Sequence, residues 1–263
     1  MKCDVVTLFP DMVAPVLGNS MLKRAQDKGL LEVKIHNLRD YTLDRHHVAD
    51  DAPYGGGAGM VLKAEPVFRA VDALRTLYRE QDTGSTLRLV IPSPQGRPFT
   101  QQMAEEFMHE GHRVVFLCGH YEGFDERVRL GLAAEEVSVG DYVLTGGELA
   151  ALVIIDASAR LIPGVLGDPD SAGQDSFARS LLDFPHYTRP AEVRGMMVPE
   201  ALLSGNHEAI RCWRRKEALR STYVKRPDLL EDRLLSQEDR RLLDEIMQEE
   251  STRRSMVCGG KES

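Results

Sequence analysis

The sequence predicts an α/β protein with a mainly parallel sheet and helices on both faces. Three observations carry this. Short apolar, β-branched segments alternate with helically spaced ones over the first 165 or so residues. One of them, Val114-Val115-Phe116-Leu117-Cys118, is apolar throughout, as a strand covered on both faces must be. Two of the apolar segments run into glycine-bracketed turns, Gly119-His120-Tyr121-Glu122-Gly123 and Gly140 to Gly147. In parallel sheets that is where ligands bind, beyond the carboxyl ends of the strands.

Taken in order, Val5, Val6, Leu8 and Phe9 make a buried strand ending at Pro10. Met12 to Lys28 has the spacing of one helix (Met12, Val16, Met21, Leu22, Ala25), stopping near Gly29. Leu31, Val33 and Ile35 alternate with polar residues as a half-buried strand. Asn37 to Gly59 is polar without periodicity, and a loop of that length in a compact domain is usually functional or mobile. Its glycine run, Gly55-Gly56-Gly57-Ala58-Gly59, is no P-loop, because no Gly-Lys-Ser/Thr follows, and it does not follow a strand as a dinucleotide fingerprint does. Arg45-His46-His47 with Asp50 and Asp51 fits no standard metal-ligand spacing. Ala64 to Tyr78 reads as a helix, Leu87 to Ile91 as a strand, Ser93-Pro94-Gln95-Gly96 as a turn, Thr100 to Glu110 as a helix and Phe124 to Ala133 as a short helix. A strand from Val137 to Leu144 then leads into a helix through Leu149, Leu152, Val153 and Ile155. Thr145 and Glu148 have the spacing of a capping box, with Thr145 as N-cap. Gly146 and Gly147 leave backbone N–H groups uncovered there, able to meet a nucleotide-like ligand. A tight turn needing positive φ is the plainer reading of either glycine turn alone. Two such turns in one sheet suggest one pocket.

After Pro163 the composition shifts. Residues 166–180 read as a flexible linker rich in Gly, Asp, Ser and Pro, and Pro185 to Pro190 is extended. Pro199 to Leu203, Asn206 to Ser221 and Ser236 to Glu249 read as helices. The expected organisation is an α/β domain over 1–165, the linker, a helical domain over 181–250, and a disordered tail over 251–263. The net charge of −8 argues against an indiscriminate nucleic-acid coat protein. Within this acidic chain Arg211 to Arg220 is a basic helix containing Trp213, which raises a role on an RNA backbone beside the plainer one of solvated charge. Cys3, Cys118, Cys212 and Cys258 are scattered, as free thiols in a reducing compartment are. A cytoplasmic protein without a membrane span is expected.

These segments occur together, in one order, in a known family. The shared residues are Leu8-Phe9-Pro10, Asp44-Arg45-His46, Asp50-Asp51, Pro53 to Met60, Ser93 to Gly96, Gly119 to Arg127, Gly140 to Glu148, Arg160 to Gly167, Asp175-Ser176-Phe177 and Pro185 to Pro190. The chain resembles the bacterial tRNA (guanine-N1)-methyltransferases to about Leu230. The resemblance implies a deep C-terminal trefoil knot in the α/β domain and S-adenosylmethionine as methyl donor, bound by Ser93, Pro94, Gly119, Tyr121, Glu122, Gly123, Val139, Gly140, Tyr142, Leu144, Gly146 and Gly147. It implies Asp175 as general base, Arg160 as a cation facing guanine O6, and the guanosine immediately 3′ of the anticodon as target. It further implies a homodimer with shared sites, with tRNA, held by its anticodon stem-loop, contacting Gly59, Arg214, Arg215 and Arg220. Mg²⁺ enters as a further requirement without assigned ligands. His120 and Ala58 stand where other members carry different residues. Two alternatives remain: a non-catalytic RNA-binding module, and a knotted methyltransferase acting on a ribose hydroxyl or ribosomal RNA.

Overall fold

In the computed structural model, which describes residues 1–81, 87–109, 111–167, 175–177, 181–231 and 235–259, the first strand, β1 (Lys2–Thr7), sets the sheet. It pairs in parallel with β2 (Glu32–Asn37) on one side, and on the other with the strand Arg113–Leu117. Its side chains alternate between two cores: Cys3 and Val5 enter one, Val6 the other. The long polar loop after β2 contains a short antiparallel pair, β3 (Asp50–Asp51) with β4 (Val61–Leu62). Then follow α3 (Ala64–Gln81), β5 (Leu87–Pro98), α4 (Gln101–His109), β6 (Arg113–Leu117), α5 (Glu126–Leu132), β7 (Glu135–Ser138) and α6 (Glu148–Ala159). The sheet order is β2-β1-β6-β5-β7, parallel at every pairing. Helices α3 and α5 cover one face; α4, α6 and the first two helices, α1 (Pro10–Leu17) and α2 (Ser20–Asp27), cover the other. Buried Asp4 is the one charge in β1 that this packing encloses. It accepts from Tyr78 (2.8 Å) and Arg113 (3.1 Å) and pairs with His36 (2.6 Å), so both its oxygens are satisfied.

Four local expectations are corrected. The helix expected from Met12 to Lys28 is two helices. Pro15 lacks an N–H, and Asn19 turns extended, its amide donating back to the Pro15 carbonyl. The Ser93–Gly96 turn does not end its strand. β5 resumes pairing with β7 after a register shift between Pro92 and Arg97, because Gly96 lets the backbone press directly on Glu136 and Val137. The strand expected from Val137 to Leu144 stops at Ser138, whose hydroxyl turns the chain by bonding the Gly140 carbonyl and N–H. Thr145 is not an N-cap. Helix α6 starts two residues later, after Gly147, and Glu148 turns into the protein instead of back to the cap.

The chain divides into two units, Met1–Pro169 and Asp170–Ser263. The second holds a hairpin of β8 (Glu192–Val193) and β9 (Met196–Met197), then α7 (Glu200–Leu203), α8 (His207–Lys225), α9 (Asp228–Glu231) and α10 (Gln237–Gly259). Asn206 caps α8 by accepting the N–H groups of Glu208 and Ala209. Leu181, Ala218, Leu219 and Ile246 are its small core. Helix α10 runs on through Gly259, where a disordered tail was expected from residue 251. Helix-type links continue past that point, Thr252 to the Gln248 carbonyl and Arg253 to Glu250. Residues 168–174, 178–180 and 260–263 of the expected linker and tail lie outside the described residues.

Candidate active site

Beside the irregular stretch of β5 and beyond the ends of β6 and β7, three segments face one another across a cavity of about 260 Å³. They are Ser93–Gln95, Gly119–Phe124 and Ser138–Gly147, and every residue named above as cofactor-facing lies on its wall. The two glycine turns meet directly: Gly147 N–H donates to the Gly119 carbonyl at 2.7 Å, and His120 pairs with Gly146 as an antiparallel bridge. The glycines are there because nothing larger fits. A Cβ on Gly147 would stand 3.0 Å from the Cα of Cys118, and one on Gly146 2.5 Å from His120 Nδ1. Gly140, at φ +149°, leaves room for the Tyr142 ring, whose hydroxyl folds back to the Val139 carbonyl at 3.1 Å. The lining thus combines these glycine turns with polar side chains, among them Ser93, Gln95, His120, Glu122 and Tyr142.

The long polar loop reaches this site through backbone. Glu122 N–H donates to the Met60 carbonyl at 3.1 Å, Leu62 N–H to Gly123 at 2.9 Å and Asp125 N–H to Leu62 at 2.9 Å. Gly59, with φ +91°, lies so close to Glu122 that a Cβ would meet its carboxylate at 2.5 Å. Asp125 then caps α5, and the Arg127 guanidinium beside it holds its carboxyl down at about 2. Under the cavity floor, burial pushes the Cys118 thiol well above its ordinary range, with the Glu148 charge adding to the effect. That thiol is no nucleophile.

Comparison with known proteins now bears on this geometry. Residues 1–232 match the family model described as tRNA (Guanine-1)-methyltransferase TrmD. The chain is 55% identical over 251 residues to a tRNA (guanine-N(1)-)-methyltransferase of Dehalococcoides mccartyi, covering 95% of this chain and 99% of that one. It is 54% identical over 250 residues to one of Bacillus cereus (95% and 100%), and 54% over 246 residues to one of Bacillus anthracis (94% and 98%). The chain belongs to this family. It is accordingly a methyltransferase that modifies guanine N1 in tRNA, with S-adenosylmethionine as methyl donor.

The remaining residues named from the sequence fall elsewhere. Arg160 is the C-cap of α6, half-buried. It stands a helix length, roughly 18 Å at 1.5 Å per residue, from the glycine turn at the other end of α6. Asp175 is half-buried in the second unit, in a short turn folded on itself: Phe177 N–H donates to Leu181 at 2.8 Å and Asp183 N–H to Ser176 Oγ at 3.0 Å. Two of the three basic residues expected to face RNA are occupied. Arg215 grips Asp239 with two bonds of 2.6 and 2.7 Å, and Arg220 pairs with Glu217, Glu249 and Glu250. Lys216 likewise bridges to Glu245 and Glu249. The basic face of α8 is therefore largely neutralised by α10. Arg214 is exposed, over the Phe184 ring at 5.0 Å, with no acidic partner among the described residues. Sequence reading missed Thr7, His120 and Glu148 as site residues. An acidic residue heading the otherwise apolar run Leu149 to Ile155 was the available signal.

Proposed function

We propose that the chain methylates N1 of the guanosine immediately 3′ of the anticodon as a homodimer, each site built from the cavity of one subunit and the second unit of its partner. The observation that carries this reading is the cavity itself, walled by two glycine turns that bond to each other through backbone and leave no room for a side chain at Gly146 or Gly147. S-adenosylmethionine supplies an electrophilic methyl group there. Peptide N–H and carbonyl groups of the turns at Gly119–Gly123 and Val139–Gly147 hold the adenine edge, with Ser93, Pro94, Tyr121, Glu122 and Leu144 around it. Guanine N1 carries a proton at neutral pH and cannot attack until it is removed. The Asp175 carboxylate accepts that proton. Arg160 meets the negative charge that then develops on O6. Mg²⁺ is given no ligands: among the described residues no group of three or more His, Cys, Asp or Glu side chains is placed to hold it.

Two features support the dimer. Arg160 is far along α6 from the cavity of its own subunit. And α1 and α6, which pack together, each expose an apolar pair one turn apart, Met12 with Val16 and Leu149 with Val153. Apolar side chains left out on adjacent helices suit a face buried against a second copy. The knot is read from family membership and from the path of the chain. It leaves β7 at the sheet edge and returns to lay α6 against α1, α2 and α4, through the contact of the two glycine turns. The reading keeps an α/β domain over 1–165, a linker over 166–180 that carries the base, and a helical domain over 181–250, with Gly59 and Arg214 as tRNA contacts. No described helix is long and apolar enough to cross a membrane; a tRNA substrate is what supports the cytoplasm as the site of action. The test is methyl transfer to a tRNA carrying guanosine or adenosine at the target position, with the product mapped. Methylation of both, or of a ribose, refutes the reading.

A further inference from the structure

Behind the cavity wall lies a nearly closed ring of contacts. Glu148 is the first residue of α6 and 1% exposed. Its Oε1 accepts the Thr7 hydroxyl at 2.6 Å, and that hydroxyl oxygen accepts Phe9 N–H at 2.8 Å. The Phe9 ring packs on the His120 imidazole at 4.5 Å, and Tyr121 meets the other side of it edge-on at 4.7 Å. The ring fails to close at one place. Glu148 Oε2 and His120 Nδ1 face each other at 3.9 Å, both buried and neither with a hydrogen-bond partner. The gap lies at Gly146, since a Cβ there would fall on both atoms.

A buried carboxylate oxygen without a donor has lost its water and gained no bond in return. A charge-assisted N–H···O bond is about 2.8 Å long. A shift of roughly 1 Å in the Gly119–Gly123 turn therefore separates the unsatisfied pair from a bonded one. That same turn is a cavity wall, tied through Gly119 to Gly147 on the opposite wall. Closing the turn on a ligand and satisfying Glu148 are one movement.

We propose that Glu148 is a positioning residue for the methyl donor, acting through His120: the bond between them forms as the glycine turns close on S-adenosylmethionine, and it holds them closed. The inference rests on reading the cavity as the S-adenosylmethionine site. Two variants isolate the bond. His120→Phe keeps a ring between Phe9 and Tyr121 but has no N–H. Glu148→Gln keeps an acceptor for Thr7 but removes the charge. Each is examined in the full-length chain by calorimetry with S-adenosylmethionine, by melting without ligand and by steady-state kinetics. Each variant should bind the donor about ten- to a hundredfold more weakly, as loss of one charge-assisted bond implies. The KM for the donor should rise more than kcat falls, the KM for tRNA and the unliganded melting temperature should stay put, and the double variant should be no weaker than either single one. His120→Arg, which restores a donor, should restore affinity. Wild-type affinity in folded His120→Phe, losses that add in the double variant, or a fall in unliganded melting temperature matching the lost affinity would each overturn the proposal. If the unaltered chain itself fails to bind S-adenosylmethionine, the cavity reading falls, and the proposal with it.

Discussion

Replacing Arg215 by alanine separates the two meanings of the basic helix. Arg215 holds Asp239 with two short bonds, and Asp239 is 4% exposed. Asp239 also belongs to the start of α10: its N–H donates to Ser236 Oγ at 3.0 Å, and Ser236 N–H points back to its carboxylate at 3.4 Å. Alanine at 215 leaves that carboxylate buried with the cap alone, and breaking a buried pair from one side costs about 3–5 kcal/mol. Arg215 keeps 23% of its side chain in solvent, so the low end, about 3 kcal/mol, is expected. Against total stabilities of about 5–15 kcal/mol this is enough to loosen α8 from α10. The pH dependence follows from the same pair. The guanidinium holds the Asp239 carboxyl below its usual range, so the stabilisation is complete at neutral pH and is lost as acid protonates it, below about pH 4. Urea unfolding of both proteins at pH 7 and pH 3, with tRNA binding measured across a salt series, checks all of this. Arg215→Ala should unfold early at pH 7, the difference should shrink in acid, and its salt slope at a temperature where it is folded should equal that of the wild type. Wild-type stability together with a salt slope reduced by roughly 0.7–0.9 would mean that Arg215 holds a phosphate, and the reasoning fails.

Arg214→Ala is the complement: stability unchanged, tRNA affinity reduced, and a salt slope lower by roughly one contact. Asp175→Asn should leave S-adenosylmethionine affinity nearly intact and slow single-turnover methyl transfer by about 10²–10⁴-fold; a loss of less than about tenfold removes Asp175 from the role of base. Gly147→Val should abolish donor binding in calorimetry while gel-shift binding of tRNA persists, since its side chain would press on the Cys118 backbone; a folded variant with normal donor affinity makes that turn merely structural. Mixing Gly147→Val with Asp175→Ala under subunit exchange should raise activity from near zero to about a quarter of wild type, because about half of random dimers then carry one intact site. No recovery after verified exchange refutes the shared site.

Alternation of apolar strands with helices carried the sheet, because burial on both faces dictates composition at Val114 to Cys118 in any parallel sheet. The cavity was legible for a related reason. Gly147 lies against the Cys118 and Gly119 backbone, Gly119 against the Phe124 ring and Gly146 against the His120 and Glu148 side chains, and each leaves no room for a Cβ of its own. Short-range chemistry was less legible wherever a distant partner outbid a local one. Thr145 and Glu148 have capping-box spacing, yet Glu148 is taken by Thr7, 141 positions away. Arg215 and Arg220 look free in the sequence, and their carboxylates arrive from a helix some 24 to 30 residues later. Nothing in residues 175–177 marks Asp175 as reactive, and only the resemblance singled it out.

A recognition surface made of peptide groups has consequences for competition and escape. An inhibitor that bonds to the N–H and carbonyl groups of the Gly119–Gly123 and Val139–Gly147 turns gains contacts that no substitution can delete, since every residue but proline presents the same amide. Escape must come by moving the backbone, and the positions that could move it, Gly146 and Gly147, are those where an added side chain strikes neighbouring atoms of the cradle. On the proposed binding of S-adenosylmethionine by these turns, the natural donor needs the same main-chain shape, so a change that excludes the inhibitor also lowers turnover. Gln95 and Val143 line the same cavity with side chains, which a substitution can change without moving the backbone. Inhibitor affinity invested in those side chains is therefore quickly lost to selection, and affinity invested in the glycine turns endures.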